Sequence, residues 1–328
     1  MGLFTYTIAG GALFLIGAWE SLISASEALA QTPSSQNINR PTQKTSSFSS
    51  TITFFSISIL SFLFILNSLI SLSDAVSSKD NIGFALQLEV ITVAFLFLLY
   101  SLLGLLSNIM DSFRFPLVLL NLIYAFGFGE EFLLFYTQMK DPSGIENRYY
   151  ALALIPVVIC LFSTIFELKN QKSSYPRLGR GIGLVLQGMW TLQMGFSFYS
   201  NIIANGCDLH EKSRGNYTIR CKGHPEYHRG RAIATLQFNC HLALLVTLFI
   251  IVYSIFCKKN GISREVMRYK PLGDNGEMRL NDHSHFSLES DDEDDNGDGI
   301  KEVRSLEMQK AVVRVPESSA LNGYGSHP

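Results

Sequence analysis

Four glutamates stand out inside apolar stretches of the sequence, away from the last residue of each: Glu20, Glu89, Glu130 and Glu131. An ionised side chain costs several kcal/mol in lipid, so carboxylates in such positions are candidates for a functional site. The residue type suits a proton or cation relay. The alternative is structural: interfacial glutamates that accept hydrogen bonds from neighbouring helices.

The fourth apolar stretch places one of these carboxylates on a defined helix face. Asn121, Tyr124, Phe128 and Glu131 follow one another at intervals of three, four and three residues. In an α-helix this spacing puts all four on the same side, which we expect to face the other helices. Glu130 points about 100° away on the same helix, so the two carboxylates are not predicted to act as a paired acid and base.

The sixth stretch has a regular pattern of small and polar residues. Gly181, Gly188 and Gly195 recur every seven residues and predict a bare seam along which another helix can approach closely. Three further side chains lie on the opposite side: Gln187, Trp190 and Gln193. The amides can hydrogen-bond between helices, either for packing or in a polar site.

The first stretch repeats the seven-residue interval with Gly10, Gly17 and Ser24, so it is a candidate partner for this seam. In the seventh stretch Gln237 and His241 share a face, being four residues apart. A single histidine can titrate or bind a metal, but it does not form a site alone. The predicted intramembrane polar site consists of Glu89, Glu130, Glu131, Gln187, Trp190, Gln193, Gln237 and His241.

The loop over 202–231 contains cysteines and histidines at metal-ligand spacing. Cys207 and His210, and again Cys221 and His224, form a C-x-x-H pair. Four such ligands can hold zinc tetrahedrally. In an oxidising compartment the two cysteines would instead form a disulfide, which is the favoured prediction.

Asn216 begins a glycosylation sequon in the same loop, so we predict a glycan there and a lumenal position for the loop. The chain shows no nucleophile with a neighbouring base, phosphate-binding glycine loop or haem-attachment motif, and we expect no cofactor. A net charge of −2 and scattered basic residues argue against nucleic-acid binding.

The elements that must hold these residues are predicted helices in a lipid bilayer. The chain is 47% hydrophobic and only 16% charged, too apolar for an ordinary soluble domain. About 20 apolar residues cross the hydrocarbon core as a helix. Seven stretches are long enough: 4–25, 51–73, 84–107, 115–137, 150–167, 180–201 and 232–256. The predicted fold is an all-α integral membrane protein, a bundle of seven transmembrane helices over residues 1–257, with Pro156 as a possible kink in the fifth.

Loop charges predict the orientation of this bundle. Basic residues are frequent in the loops that lie inside if the N-terminus is outside, and Lys258 and Lys259 follow the last stretch, so the C-terminus is predicted to be cytosolic. An alternative is that the first stretch is a signal peptide cleaved near Ala30, which would leave six spans. Residues 258–328 include the acidic run 289–295 and predict a disordered tail that could bind protein partners.

The motif L-Q-G-x-W-x-x-Q-x-G-F over 186–196 resembles the signature of the transmembrane protein 45 family, seven-helix proteins with a domain of unknown function. The segment E-F-L-L-F at 131–135 and the later residues Asp141, Gly144 and Glu146 are similar to the fourth-helix block of its plant members. Arg231 and L-Q-F at 236–238 are similar to their seventh-helix entry.

The resemblance implies a seven-helix fold, and some plant relatives are described as virus-response proteins, which implies a link to stress. Those relatives carry histidines where this chain has Leu88, Gln138, Pro142 and Tyr150. A metal or proton site built on those histidines is therefore not expected here.

Three classes of function remain. A membrane adaptor, trafficking or stress-response factor is favoured, because it needs no intramembrane chemistry and gives the acidic tail a role. A transporter of protons or a small solute is the alternative, using Glu89, Glu131 and His241. An intramembrane enzyme is least favoured, since no full catalytic set is present.

Overall fold

The computed structural model describes residues 2–30, 43–110, 115–141, 144–171, 173–200 and 206–259. Within them the chain forms seven α-helices and a two-stranded sheet. The helices are α1 Leu3–Ala30, α2 Gln43–Ser77, α3 Asn81–Ile109, α4 Leu117–Thr137, α5 Glu146–Lys169, α6 Tyr175–Tyr199 and α7 His224–Lys259; the strands are β1 Cys207–Ser213 and β2 Asn216–Cys221. The acidic tail beyond Lys259 lies outside the described residues.

Six of the helices, α1 to α5 and α7, are long and apolar enough to cross a membrane. They also expose many large apolar side chains, more than is usual on the surface of a soluble protein, among them Phe62, Ile70, Phe126 and Ile250. Helix α6 is not among the six, since its glycines, glutamines and two arginines lower its mean hydropathy. The all-helical class is confirmed, and six of the seven predicted spans have the length and composition to cross a membrane, whereas the span predicted over 180–201 does not meet the composition requirement.

Helix α6 packs along α1 at the glycines that the sequence singles out. A Cβ on Gly10 would lie 2.7 Å from the Gly188 carbonyl oxygen, and one on Gly17 would lie 2.7 Å from that of Gly181. Both distances are shorter than van der Waals contact. The prediction that these two helices share a small-residue seam is confirmed, and the backbones approach closely because no side chain intervenes.

Helix α5 runs through Pro156 without a break and begins at Glu146, four residues before the predicted start. The core beside it is aromatic. Trp190 donates from Nε1 to the Tyr149 carbonyl oxygen at 3.0 Å and stacks on the Tyr149 ring, with 5.4 Å between ring centroids. Helices α5, α6 and α7 therefore share one buried cluster that includes Phe238.

Strands β1 and β2 form an antiparallel hairpin with Cys207 opposite Cys221. Its turn includes Gly215 at φ +91°, a conformation that glycine adopts without strain. The hairpin is fixed to α5, because the Ile219 N–H donates to the Glu146 carboxylate at 2.8 Å and the Ile145 N–H donates to the Ile219 carbonyl at 3.3 Å. It covers one end of the bundle, which we call the hairpin end.

Candidate functional site

A cavity of about 170 Å³ lies inside the bundle, which we call the central cavity. Residues of α1, α2, α3, α4, α5 and α6 line it, together with Gly215 and Tyr217 of the hairpin. Most of the lining is apolar and includes Ile16, Ile57, Val90, Phe97, Phe128 and Leu184. A cavity with such walls suits the apolar part of a small molecule.

Three polar side chains in the lining present hydrogen-bond acceptors, and we call them the acceptor set: Gln87, Glu131 and Gln187. Gln187 donates from Nε2 to a Glu131 carboxylate oxygen at 2.5 Å. Gln87 and Gln187 are 1% and 2% exposed, and the side-chain carbonyl oxygen of each has no hydrogen-bond donor among the described residues. Buried acceptors of this kind normally have a partner, and a molecule bound in the cavity would supply one to both oxygens.

The face predicted from the 3-4-3 spacing in α4 turns into the bundle. Asn121, Tyr124 and Phe128 are buried, and Tyr124, Phe128 and Glu131 line the central cavity. The sequence prediction for this face is confirmed. Glu130, on the adjacent side of α4, is half-buried and is not part of the lining.

Three tyrosines close the hairpin end of the cavity. The hydroxyls of Tyr150 and Tyr217 are 2.6 Å apart, and the Tyr6 hydroxyl is hydrogen-bonded to that of Tyr217. All three residues line the cavity. Burial raises the pKa of Tyr217 in β2 well above its usual value, so its hydroxyl stays protonated and available for hydrogen bonding.

Asp80, just before α3, holds the hairpin on the bundle. Its carboxylate is 1% exposed and accepts hydrogen bonds from Ser213 Oγ at 2.7 Å and Asn216 Nδ2 at 2.5 Å. Burial acts to raise the pKa of Asp80, but hydrogen bonds from Asn216, Ser213 and the Gly83 backbone, with the charge of Lys212, lower it to about 2. The residue is therefore an anionic anchor for the hairpin turn.

Asn216, the predicted glycosylation site, takes part in this anchor. It is 5% exposed, its Nδ2 donates to Asp80, and its Oδ1 accepts a hydrogen bond from Lys140. Both polar atoms of the amide are engaged inside the fold. Glycosylation of Asn216 stays a prediction, and its burial argues against it in the folded protein.

At the opposite end of the bundle, buried arginine and glutamate side chains form an ion-pair network that the sequence reasoning missed. Arg180 of α6 pairs with Glu20 of α1 and Glu167 of α5, and Arg177 pairs with Glu27 at 3.0 Å. The Arg180 guanidinium also lies 5.0 Å from the centroid of the Tyr124 ring. The charge of Glu20 is thus balanced by Arg180. The carboxylate in the apolar α1 was itself a signal in the sequence, since a buried charge requires a cation beside it.

The remaining members of the predicted polar site lie apart from the central cavity. Glu89 accepts a hydrogen bond from Thr137 at 2.7 Å on an exposed part of α3, and Gln193 donates to Ser197 at 3.1 Å. Gln237 accepts from the Tyr149 hydroxyl at 3.0 Å. None of these three lines the cavity.

His241 and Trp190 are also outside the cavity lining. The His241 ring lies 6.1 Å from that of Trp190, and its Nδ1 is 2.8 Å from the Gln237 carbonyl oxygen. In the lining of the central cavity the structure therefore brings together only Glu131 and Gln187 of the eight predicted residues. It adds Gln87, whose burial among apolar neighbours in α3 was the available signal.

The disulfide prediction is confirmed, because Cys207 and Cys221 are bonded to each other. The alternative of a zinc site at Cys207, His210, Cys221 and His224 is wrong, since both thiols are consumed and cannot act as thiolate ligands. In the described part of the chain no group of three metal-binding side chains is arranged around a common point.

Comparison with known proteins gives a family match over part of the chain but no activity. No curated protein matches the chain. Residues 117–254 match the model of a family of unknown function, DUF716. The matched segment runs from α4 into α7 and includes Glu131, Gln187 and the hairpin. The match covers the motif at 186–196 and is consistent with the family that this motif indicates: over residues 117–254, this chain is similar to DUF716.

Proposed function

We propose that the protein binds a small, mainly apolar solute in its central cavity, as the binding step of small-solute transport. The observation that carries the proposal is the acceptor set, because apolar walls with a few polar groups are the usual composition of a small-molecule site. A buried amide oxygen without a donor costs about 1–3 kcal/mol. Both of these oxygens belong to residues that line one cavity, so a single bound molecule can satisfy them together.

The transport alternative from the sequence named Glu89, Glu131 and His241. Only Glu131 lines the cavity, so the proposal relies on that carboxylate and replaces the other two with Gln87 and Gln187. Ionisable groups inside membrane bundles commonly mark solute or ion pathways.

Helix α6 has the length for a seventh span. Its 25 residues extend about 37 Å at 1.5 Å per residue, more than the hydrocarbon core requires. Its polar residues face the bundle: Gln187 bonds to Glu131, and Arg180 pairs with two carboxylates. We therefore include α6 as a membrane-spanning helix shielded from lipid by its neighbours.

The disulfide supports a lumenal or extracellular position for the hairpin end, because such bonds persist in oxidising compartments. With seven spans, the end of α7 then lies on the cytosolic side, where Lys258 and Lys259 follow the positive-inside rule. The solute would reach the cavity from the hairpin side or from the bilayer.

A matched pair of substitutions in α3 tests the proposal. Ala94 is 5% exposed and lines the cavity, whereas Ala85 is exposed on the same helix. The full chain in phosphatidylcholine nanodiscs is labelled with a photoreactive octanol that carries a diazirine, and the labelled positions are mapped by mass spectrometry.

We expect cavity residues of α3, α4 and α6 to be labelled in the wild type and in Ala85→Phe, and labelling there to fall several-fold in Ala94→Phe, because the new ring occupies the cavity. Labelling confined to lipid-facing positions such as Phe62 in all three proteins would refute the proposal. Thermal unfolding of each variant shows whether it is folded.

The adaptor, trafficking or stress-response role stays a prediction. It depends on the acidic tail, which lies outside the described residues. Truncation after Lys259 tests it: an adaptor loses its partners, whereas binding of octanol in the cavity stays intact if the two functions are separate.

A further inference from the structure

We infer that the central cavity takes a protonated amine carried on an apolar body. The inference rests on the proposed binding function and specifies the chemical class of the solute. It follows from three properties of the lining: its free hydrogen-bonding groups, its charge and its apolar walls.

The free hydrogen-bonding groups of the acceptor set call for a donor. Gln187 uses Nε2 to donate to Glu131, which leaves its carbonyl oxygen without a donor. The carbonyl oxygen of Gln87 is in the same condition on another helix. A ligand that offers only acceptors, such as a ketone or an ester, leaves both oxygens unsatisfied, whereas an ammonium group has three N–H donors.

The charge of the lining favours a cation. Glu131 is the only Asp, Glu, Lys, Arg or His side chain in the described lining. It makes no ion pair within the described residues, and the nearest arginine network is already balanced, since Arg180 pairs with Glu20 and Glu167. A carboxylate without a counter-charge is costly in a low-dielectric interior, and a bound ammonium group offsets that cost.

The walls exclude a bare inorganic cation as the natural occupant. Beyond the acceptor set the lining consists mostly of aliphatic and aromatic side chains, such as Val90, Phe97 and Leu184. A metal ion would use none of this surface and would require several oxygen ligands around one point. An alkyl or aryl amine uses both parts of the cavity.

Four probes with the same eight-carbon body separate these properties: octylamine, octanol, octanoate and octyltrimethylammonium. Each competes against the photoreactive octanol for labelling of the cavity in the full chain in nanodiscs. We expect octylamine to displace the label at a concentration at least about tenfold lower than octanol, since a charge-assisted hydrogen bond is stronger than a neutral one. Octanoate should not compete, and octyltrimethylammonium, which has charge but no N–H, should compete more weakly than octylamine.

Two adjacent glutamates give a matched control for the role of charge. Glu131→Gln removes the negative charge but keeps an amide of similar size, and we expect it to abolish the tenfold preference for octylamine while octanol labelling persists. Glu130→Gln, one residue earlier and outside the lining, should leave the preference unchanged. Gln87→Leu removes one acceptor without changing charge and should reduce the affinity for octylamine several-fold.

The outcomes distinguish this inference from the proposed function. Equal competition by octanol and octylamine, stronger competition by octanoate, or an octylamine preference that survives in Glu131→Gln overturns the amine assignment and leaves solute binding standing. Absence of octanol labelling in the cavity overturns both. If Glu131→Gln does not fold, the probe series on the wild type and Gln87→Leu decides the question.

Discussion

At the scale of single residues, amide side chains have different uses at the hairpin end and in the central cavity. Both polar atoms of the Asn216 amide at the hairpin end have partners, since Nδ2 donates to Asp80 and Oδ1 accepts from Lys140, so this amide serves stability. Gln87 and Gln187 in the cavity keep one acceptor each without a partner. Residue identity did not reveal this difference in the sequence, because it depends on which donors the fold brings near each amide.

Replacing Asn216 by Ala should lower the free energy of unfolding by about 1–3 kcal/mol, because it leaves Asp80 and Lys140 with a buried partner missing. Thermal unfolding in detergent measures the change. The control is Thr218→Ala, which destroys the sequon but leaves the Asn216 amide in place. If both variants lose the same stability and the same mass on a gel, the residue acts through a glycan and the anchor role is wrong.

Acid should loosen the hairpin through Asp80. The pKa of its carboxyl is lowered from 3.8 to about 2 in the fold, so its ionised form stabilises the native state by about 2 kcal/mol above pH 4. This stabilisation is lost as the pH falls from about 4 to 2. The quantity to measure is the hydrogen-exchange protection of the β1 and β2 amides, relative to the unfolded chain at the same pH. In the wild type this protection should fall between pH 6 and pH 2.5. Asp80→Asn should show little pH dependence in this range; an unchanged acid response in that variant would rule out Asp80 as the cause.

At the scale of elements, the seam between α1 and α6 could be predicted from the sequence, because seven-residue glycine spacing has one simple structural consequence in a membrane helix. The inward face of α4 could also be predicted, from its 3-4-3 spacing. The pairing of Arg180 with Glu20 and Glu167 could not, since it depends on three helix ends meeting in space.

Neighbouring glycines in α1 allow a direct test of the seam. Gly10→Ala should destabilise the protein by at least about 1–3 kcal/mol, since the added Cβ would lie 2.7 Å from the Gly188 carbonyl oxygen and 2.8 Å from the Leu192 nitrogen. Gly11→Ala meets no atom within 4 Å and should be neutral or slightly stabilising. Thermal unfolding of the two variants measures the difference, and equal stability would contradict the close approach of α1 and α6.

At the scale of the whole molecule, the sequence predicted an apolar helical bundle, and six helices meet the requirements for membrane spans. The central cavity was not predictable, because it is the space left where six helices and a hairpin fail to fill their common interior. The polar residues expected to form one site are likewise separated, some in the cavity and some outside it. Sequence periodicity predicts which residues share a face of one helix, but not which other helix packs against that face.

The central claim is that a small solute occupies the cavity beside Glu131. Crystals of the protein grown with 8-bromooctanol measure this directly, through the anomalous scattering of bromine. We predict a bromine peak within the cavity, among Val90, Phe128 and Leu184. Bromine found only against lipid-facing side chains, with the cavity filled by water or closed, would contradict the account.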